Sequence, residues 1–289
     1  MRTGQSQCNF RIPTDVAGLP NRDPVPTLEP VNTTFNGAIY MPDTIERDSY
    51  RFIPGPFQYS AGVAAKPGYA MQRVRFARPV PLIEGFRRIE AFMDAAKLPL
   101  IGFAACELRS PAPFTDAGFS AFNREYVGTL ERWGIFKNEE NPVARSNVCP
   151  ELHKPDGPSF YAFSVAVPAP DAPASFVIAG SGESQEGPGA YKDRTVRYGD
   201  TSVDGMRDKI AHVMATMERR MLAIGATWAD TTATQAYTVF DIHPHLADGI
   251  VGLGAARHGL DWHFCRPPVV GLDYEMDTRC VRTELVLSA

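Results

Sequence analysis

Two arginines of this sequence have neighbours suited to holding an anion. Arg145 lies among small and β-type residues in segment 143–148, where an unpaired guanidinium is costly to take out of water. The planar donor fork of arginine fits a carboxylate through two parallel hydrogen bonds. Arg266 precedes two prolines, so a rigid turn could aim its side chain. The alternatives are a salt bridge from Arg145 to a local acid such as Glu151, and a plain surface position for Arg266.

A carboxylate in an apolar setting could exchange protons with a bound molecule. Glu107 interrupts the apolar segment 100–108 and is followed by Arg109. If Glu107 is buried, its pKa rises towards the range in which a carboxyl works as a general base. The alternative is a simple pair between Glu107 and Arg109.

A glycine-rich segment could bind an anion through its backbone. Gly180-Ser181-Gly182-Glu183-Ser184 follows a predicted strand, and its glycines could present N–H groups to an anion. The segment lacks the Gly-Lys-Ser/Thr end of a P-loop. The alternative is a plain turn.

Metal ligands are poorly placed in this sequence. His243 and His245 could share a metal ion, but no third ligand follows from their spacing, and Pro244 prevents a regular helix. No two cysteines form a C-x-x-C pair, which argues against a zinc ribbon or a redox dithiol. We therefore predict no metal site. Four aromatic residues are candidates either for a pocket wall or for the core: Phe57, Tyr59, Tyr126 and Trp262.

Charge and hydropathy exclude several classes of partner. The 289 residues carry 29 Lys and Arg against 33 Asp and Glu, a net charge of −4, which gives no field for nucleic acid or an anionic membrane. The longest apolar run, 249–256, is under half of the roughly 20 residues that a membrane span needs. The first residues lack the apolar core of a secretory signal, and the five cysteines are scattered. We therefore expect a cytoplasmic protein.

Prolines divide the chain into three predicted parts. Residues 1–50 hold six prolines with little periodicity and are expected to form an extended arm. Segment 168–173 carries three prolines and separates two predicted units, 51–168 and 174–289. Each unit has the order strand, helix, strand, helix, strand, strand over about 110 residues. The simplest account is one unit present twice.

Apolar residues at steps of three to four positions predict the main helices. The first unit has one helix over 82–97 followed by a second, and the second unit has a long helix after residue 202. The residues that we expect to cap or end these last two helices are Thr115 or Asp116, Gly134, Thr201 or Ser202, and Gly225. The predicted strands are 100–108, 143–148, 161–167, 175–180, 231–240, 268–272 and 281–287, with a short helix over 243–257.

Several short strings resemble the motifs of one family, the RidA/YjgF enamine and imine deaminases. Segment 143–148 is similar to that family's Pro-Ala-Arg-Ser-Cys-Val strand, whose arginine binds a ligand carboxylate. Segment 55–60 resembles its Gly-Pro-Tyr-Ser segment, and 122–126 resembles the Phe-x-x-Asn-x-x-Tyr helix. Segment 265–269, followed by the strand that ends the chain, resembles a second copy of the arginine strand. The resemblance covers about residues 50–289 as two tandem units.

The resemblance implies a fold and an assembly. It implies an α+β chain of two tandem RidA/YjgF-like (chorismate-mutase-like) units, each a mixed sheet with helices packed on one face. Units of that family pack around a three-fold axis, so a homotrimer with pockets at its seams is expected.

The resemblance also implies an activity, which is hydrolysis of an imine or enamine on a small carboxylate metabolite. Arg145 or Arg266 would hold the substrate carboxylate, and Ser181 and Tyr126 would line the pocket. One of three carboxylates would handle the proton: Glu107, Glu183 or Glu284. No metal or organic cofactor is needed, because a protonated C=N carbon is already electrophilic.

The sequence departs from the family pattern at the residues that matter for water attack. The first unit has no carboxylate in strand 160–165, and Glu284 of the second unit falls two places early, on the same strand face. Asn147 and Pro268 replace the cysteine beside each arginine. Two alternatives therefore stay open. One is a ring- or chorismate-cleaving hydrolase of the tandem type with Glu284 as its acid, and the other is a non-catalytic metabolite-binding module.

Overall fold

A computed structural model describes residues 44–187 and 189–288 of the chain. Most of the N-terminal arm predicted for 1–50 lies outside the described residues. The strands are β1 Ile45–Glu46, β2 Tyr50–Ile53, β3 Gly62–Ala65, β4 Tyr69–Pro81, β5 Phe103–Arg109, β6 Ala144–Pro150, β7 Ser159–Pro168, β8 Phe176–Gly182, β9 Ala233–Tyr237, β10 Asp261–His263, β11 Cys265–Arg266, β12 Glu275–Cys280 and β13 Thr283–Leu287. The helices are α1 Leu82–Ala95, α2 Asp116–Arg132, α3 Tyr191–Arg194, α4 Val203–Ala223 and α5 His243–His245, with a π-helix over Leu246–Val251.

These strands form two mixed sheets. The larger has the order β1-β2-β3-β8-β12-β9-β10, and the smaller has the order β11-β6-β5-β7-β4-β13. Each contains one parallel neighbour pair that follows a helical crossover, β5 with β6 and β9 with β10. The described chain is therefore an α+β fold, as predicted at that level.

The two sheets share a four-strand arrangement. In the smaller sheet it is β4-β7-β5-β6, and in the larger sheet it is β8-β12-β9-β10, with the same parallel and antiparallel pairs. Several strands outside this arrangement join the sheet of the other half of the chain. Strands β1 to β3 precede β4 in the chain but extend the larger sheet at β8, whereas β13 ends the chain beside β4.

Apolar side chains cover both faces of each sheet. Helices α1 and α2 bury Phe86, Ile89 and Tyr126 against the smaller sheet, and α4 buries Ile210 and Met217 against the larger one. The opposite faces of the sheets meet in a third cluster, which draws on both sheets and contains Tyr50, Phe52, Val63, Met71, Ala144 and Ala179. Burial of these aliphatic and aromatic groups is the main force that holds the layers together.

The predicted helix ends are largely confirmed. Thr115 caps α2 by accepting a hydrogen bond from the N–H of Gly118, and Ser202 caps α4 in the same way. Gly134 and Gly225 follow these helices with φ of 73° and 74°, a left-handed conformation that only glycine adopts without strain.

Strand β12 lies where no strand is predicted from the sequence. Glu275, Asp277 and Arg279 alternate along β12, and all three are buried. A reading based on apolar runs passes over such a strand, because charged residues normally lie in water. The strand predicted at 268–272 is wrong, since that segment is turns and an isolated bridge, and only 243–245 of the helix predicted over 243–257 is α-helical. Strands β1 to β4 were also not predicted.

Candidate active site

A cavity of about 390 Å³ opens where the two sheets and the loop after β2 come together. Its volume is in the range of small-molecule sites, roughly 300–1,000 Å³. Strand β6 contributes Arg145 and Asn147, and the end of β8 contributes backbone and Ser181. Further lining residues are Tyr59, Tyr191, Arg194, Arg220, Glu186 and Glu275.

Arg145 is a buried cation with no counter-ion among residues 44–187 and 189–288. It is 3% exposed, and none of its three guanidinium nitrogens has a hydrogen-bond partner within the described residues. Its guanidinium carbon lies 4.8 Å from the ring centre of Tyr126 and 5.3 Å from that of Tyr59. Aromatic faces offset only part of the cost of burying a cation. The arrangement therefore favours an anion bound from the cavity side.

Glu275 is a buried carboxyl in the wall of the same cavity. It begins β12, is 4% exposed, and has no hydrogen-bond or ion-pair partner among residues 44–187 and 189–288. Burial raises the pKa of Glu275 well above its ordinary value, and the nearby acids Asp277 and Glu183 raise it further. A carboxyl whose pKa is raised keeps its proton to higher pH than an ordinary glutamate and can donate it to a ligand.

Gly180 leaves the space that the Glu275 carboxyl occupies. A Cβ on Gly180 would collide with Oε1 of Glu275 and would also press on Ser146. Any other residue at Gly180 would push the carboxyl out of its position. The glycine-rich segment therefore does not form a loop at this point: Gly180 lies inside β8, and the close approach of the Glu275 side chain explains why it is a glycine.

Glu183 holds the start of β12 in place through hydrogen bonds to the backbone just before that strand. Its carboxylate accepts hydrogen bonds from the backbone N–H groups of Asp273 at 2.6 Å and Tyr274 at 3.1 Å. Lys209 of α4 lies 3.3 Å from Glu183 and also pairs with Asp273. Burial is the main cause that raises the pKa of Glu183. Glu183 thus positions the segment that carries Glu275 and lies outside the cavity wall.

The other predicted carboxylates belong to a separate cluster. Glu107 forms two hydrogen bonds to Arg73, of 2.6 Å and 2.9 Å, rather than pairing with Arg109. Glu284 lies 3.3 Å from the same arginine and 2.9 Å from Arg279. Neither glutamate lines the 390 Å³ cavity, although Glu107 shares with Arg145 a second pocket of only about 10 Å³.

The remaining predicted binding residues lie at different distances from the cavity. Ser181 lines it. Tyr126 stacks beneath Arg145, and its hydroxyl contacts the thiol of Cys106 at 3.3 Å. Arg266 lies elsewhere, on β11, with its Nε 2.9 Å from Glu151. Glu151 thus pairs with Arg266 and not with Arg145.

Two functional candidates were missed by the sequence reading, Glu275 and Arg220. Glu275 had a detectable signal, because charged residues at every second position across 275–279 fit one face of a strand. Arg220 follows Met217 by three positions, so it shares the buried face of α4. A charge within an apolar stripe was the signal in that case.

Two searches of the described residues bear on other functions. Among residues 44–187 and 189–288, no three His, Cys, Asp or Glu side chains come together in a way that could hold a metal ion. In the same part of the chain, none of the helices is both long and apolar enough to cross a bilayer.

The geometry brings a buried arginine and a carboxyl of raised pKa to one cavity, and comparison with known proteins places the chain in a family. Residues 43–285 match the family described as 2-aminomuconate deaminase CnbZ. The 2-amino-5-chloromuconate deaminase of Comamonas testosteroni is 50% identical over 251 residues, which are 86% of this chain and 100% of that protein. The chain belongs to the CnbZ family of 2-aminomuconate deaminases.

Solved structures give more distant likenesses. A chorismatase has a TM-score of 0.41 at 11% identity, over 82% of this chain and 78% of its own. A cyanuric acid hydrolase from A. caulinodans has a TM-score of 0.38 at 15% identity, over 74% of this chain and 67% of its own. Scores at this level do not establish a shared fold.

The predicted membership of the RidA/YjgF family is wrong, because the family that matches residues 43–285 is CnbZ. The resemblance rested on strings of a few residues, and such strings specify a local strand or turn that many folds contain. The homotrimer that it implied has no other support and stays a prediction.

Proposed function

We propose that this chain is a hydrolytic deaminase, acting in the Arg145 cavity on an enamine of the 2-aminomuconate type. One observation carries the proposal, namely that an unpaired buried arginine and a carboxyl of raised pKa line the same cavity. Membership of the CnbZ family and the name of the Comamonas relative support the choice of substrate class.

Arg145 is proposed to bind the carboxylate next to the amino-bearing carbon. Two parallel hydrogen bonds from its guanidinium would fix the plane of that carboxylate and the position of the carbon that water attacks. Ser181 and the Tyr59 hydroxyl line the cavity and offer further polar contacts. The ligand charge would also remove the cost of the unpaired cation.

Glu275 is proposed as the group that moves protons. The neutral carboxyl of Glu275 gives a proton to the enamine carbon next to the amino-bearing carbon. The C–N bond then becomes a C=N bond, so this step forms an iminium ion. The carboxylate then takes a proton from water while the water oxygen bonds to the iminium carbon. Glu275 next protonates the amino group, the C–N bond breaks with its electron pair, and ammonia leaves. The hydroxyl proton returns to Glu275 as the C=O bond forms, so one water is consumed and one ammonia is released.

This proposal changes the roles expected from the sequence. Arg145 keeps the role of carboxylate ligand, Ser181 keeps a place in the pocket, and Glu183 becomes a positioning residue for Glu275. Glu107 and Glu284 are occupied by Arg73 and Arg279 and receive no part in the reaction.

The test is release of ammonia from freshly generated 2-aminomuconate, together with loss of its ultraviolet absorbance. We expect turnover by the wild-type protein and about 10- to 100-fold weaker substrate binding in Arg145→Met. Arg266→Met is the matched control and should behave as wild type. Saturable binding of the substrate without ammonia release would overturn the proposal in favour of a non-catalytic binding module.

A further inference from the structure

The cavity contains a second buried arginine that has only a partial set of partners. Arg220 of α4 is 5% exposed. Its Nη1 donates to the carbonyl of Ala179 at 3.0 Å, and its Nη2 donates to Glu186 at 2.7 Å. Its Nε has no partner within the described residues. The guanidinium is therefore fixed in direction by the backbone and has donor capacity left over.

The counter-ion of Arg220 is held weakly. The side chain of Glu186 is 58% exposed, whereas that of Arg220 is 6% exposed. Water screens the exposed partner, so such a pair contributes little to stability. The carboxylate of Glu186 can turn into solvent at small cost, while Arg220 cannot leave the cavity wall. A carboxylate of a ligand can therefore displace the Glu186 carboxylate from Arg220 at small cost.

Both arginines act on one group in the cavity wall. The hydroxyl of Tyr59 lies within the electrostatic influence of Arg220 and of Arg145. The two guanidinium groups thus line one cavity together with Tyr59 and Glu275. A ligand with a negative charge at each end would satisfy both arginines, whereas a single carboxylate would satisfy one.

We propose that Arg220 binds the second carboxylate of a dicarboxylate ligand, and that Glu186 occupies this subsite as a displaceable counter-ion in the free protein. The assignment rests on the proposed function for the location of the ligand and goes beyond it in naming a specificity-determining pair. The cavity then binds dicarboxylates more tightly than monocarboxylates, because only a second carboxylate on the ligand replaces the negative charge of Glu186 beside Arg220.

The test compares two unreactive ligands that differ in one carboxylate. Muconate is hexa-2,4-dienedioate, and sorbate is hexa-2,4-dienoate with the same diene. Titration calorimetry with wild-type protein should show muconate binding at least tenfold more tightly than sorbate. Arg220→Met should weaken muconate binding about 10- to 100-fold, the range for a charge-assisted pair, and leave sorbate within twofold. Arg219→Met removes the exposed neighbouring charge as a control and should change muconate affinity less than threefold.

Glu186 provides the sharper variant, because its removal should improve binding. Glu186→Gln ends the competition for Arg220, so muconate affinity should rise about three- to tenfold while sorbate affinity stays the same. If Arg220→Met fails to fold, Glu186→Gln and Arg220→Lys still test the assignment. An equal loss of both ligands in the Arg220 variants, or unchanged muconate affinity in Glu186→Gln, would overturn it. Because these ligands do not react, a protein that shows this pattern but releases no ammonia would refute the deaminase proposal alone.

Discussion

The two halves of the chain build the same four-strand arrangement, yet only one of them supplies an arginine beneath its helix. On β6 the helix-facing Arg145 lies under the seventeen-residue helix α2 and has no hydrogen-bond partner in the described part of the chain. On β10 the helix-facing side chain is Trp262, whose Nε1 donates to the Thr238 carbonyl at 3.0 Å. The corresponding cover in the second half is the three-residue α5 and a π-helix. We propose that the two halves are repeats of one unit, and that they differ in the side chain that lies beneath the covering helix.

The residues that line the cavity come from both halves of the chain. The first half contributes the cation, and the second half contributes Glu275 on β12 and Arg220 on α4. At the position where the first half has the buried Arg145, the second half has a half-buried aromatic ring whose N–H has a hydrogen-bond partner. Buried polar groups that lack a protein partner are found mainly at functional sites, where a bound ligand supplies the missing hydrogen bond or charge.

The largest expected effect is that of Glu275→Gln on turnover. The amide keeps the shape of the carboxyl but cannot exchange protons at neutral pH, so kcat should fall about 10²- to 10⁴-fold while muconate affinity changes less than threefold. The raised pKa of Glu275 sets the sign of the pH dependence. The protonated form predominates below that pKa, so wild-type activity should be lost as pH rises through it. Ammonia release followed across pH checks both, and a full-rate variant would remove Glu275 from the mechanism.

The next largest effect concerns stability, through Lys209→Met. This change leaves the buried carboxylate of Glu183 without its cation and Asp273 without its partner. The free energy of unfolding should fall by about 3–5 kcal/mol, measured by urea denaturation. Arg207→Met on the exposed face of the same helix is the control, with an expected change below about 1 kcal/mol. Equal stability of the two variants would show that the start of β12 is held by other contacts.

Arg145→Met should separate binding from folding. Muconate affinity should fall about 10- to 100-fold, while the free energy of unfolding stays the same or increases, because an unpaired buried charge is removed. A clear loss of stability would instead show that Arg145 is a structural residue that interacts with the aromatic rings around it.

The smallest effect should come from the second half, with Trp262→Phe. Muconate affinity should change less than twofold, because Trp262 lies outside the cavity wall. Stability should fall by about 0.5–1.5 kcal/mol through loss of the hydrogen bond to Thr238. A tenfold loss of affinity would show that the second half holds a ligand site of its own.

Local signals in the sequence predicted the three long helices, α1, α2 and α4, and singled out Arg145 as a candidate. Ser202 and Gly225 identify the ends of α4 because capping chemistry acts over a few residues. Arg145 was found from its neighbours. The partners of Glu107 and Glu284 were not, because Arg73 lies 34 residues from Glu107 and 211 residues from Glu284. Such pairing depends on sheet order, which local patterns do not contain.

The polar strand β12 marks the other limit. Its buried charges contradict the usual rule that charged residues lie in water, and a reading based on that rule loses Glu275 along with the strand. Departures from local rules are expected where function requires them. The missed strand and the missed acid therefore have a single cause.

The central claim is that Arg145 is the primary carboxylate ligand, and a crystal structure of the protein with muconate tests it most directly. We expect one muconate carboxylate with both oxygens about 2.7–3.0 Å from the guanidinium nitrogens of Arg145, and the diene beside Glu275. Muconate bound beside Arg266 or in the Glu107 cluster, with the Arg145 cavity lacking ligand, would contradict it.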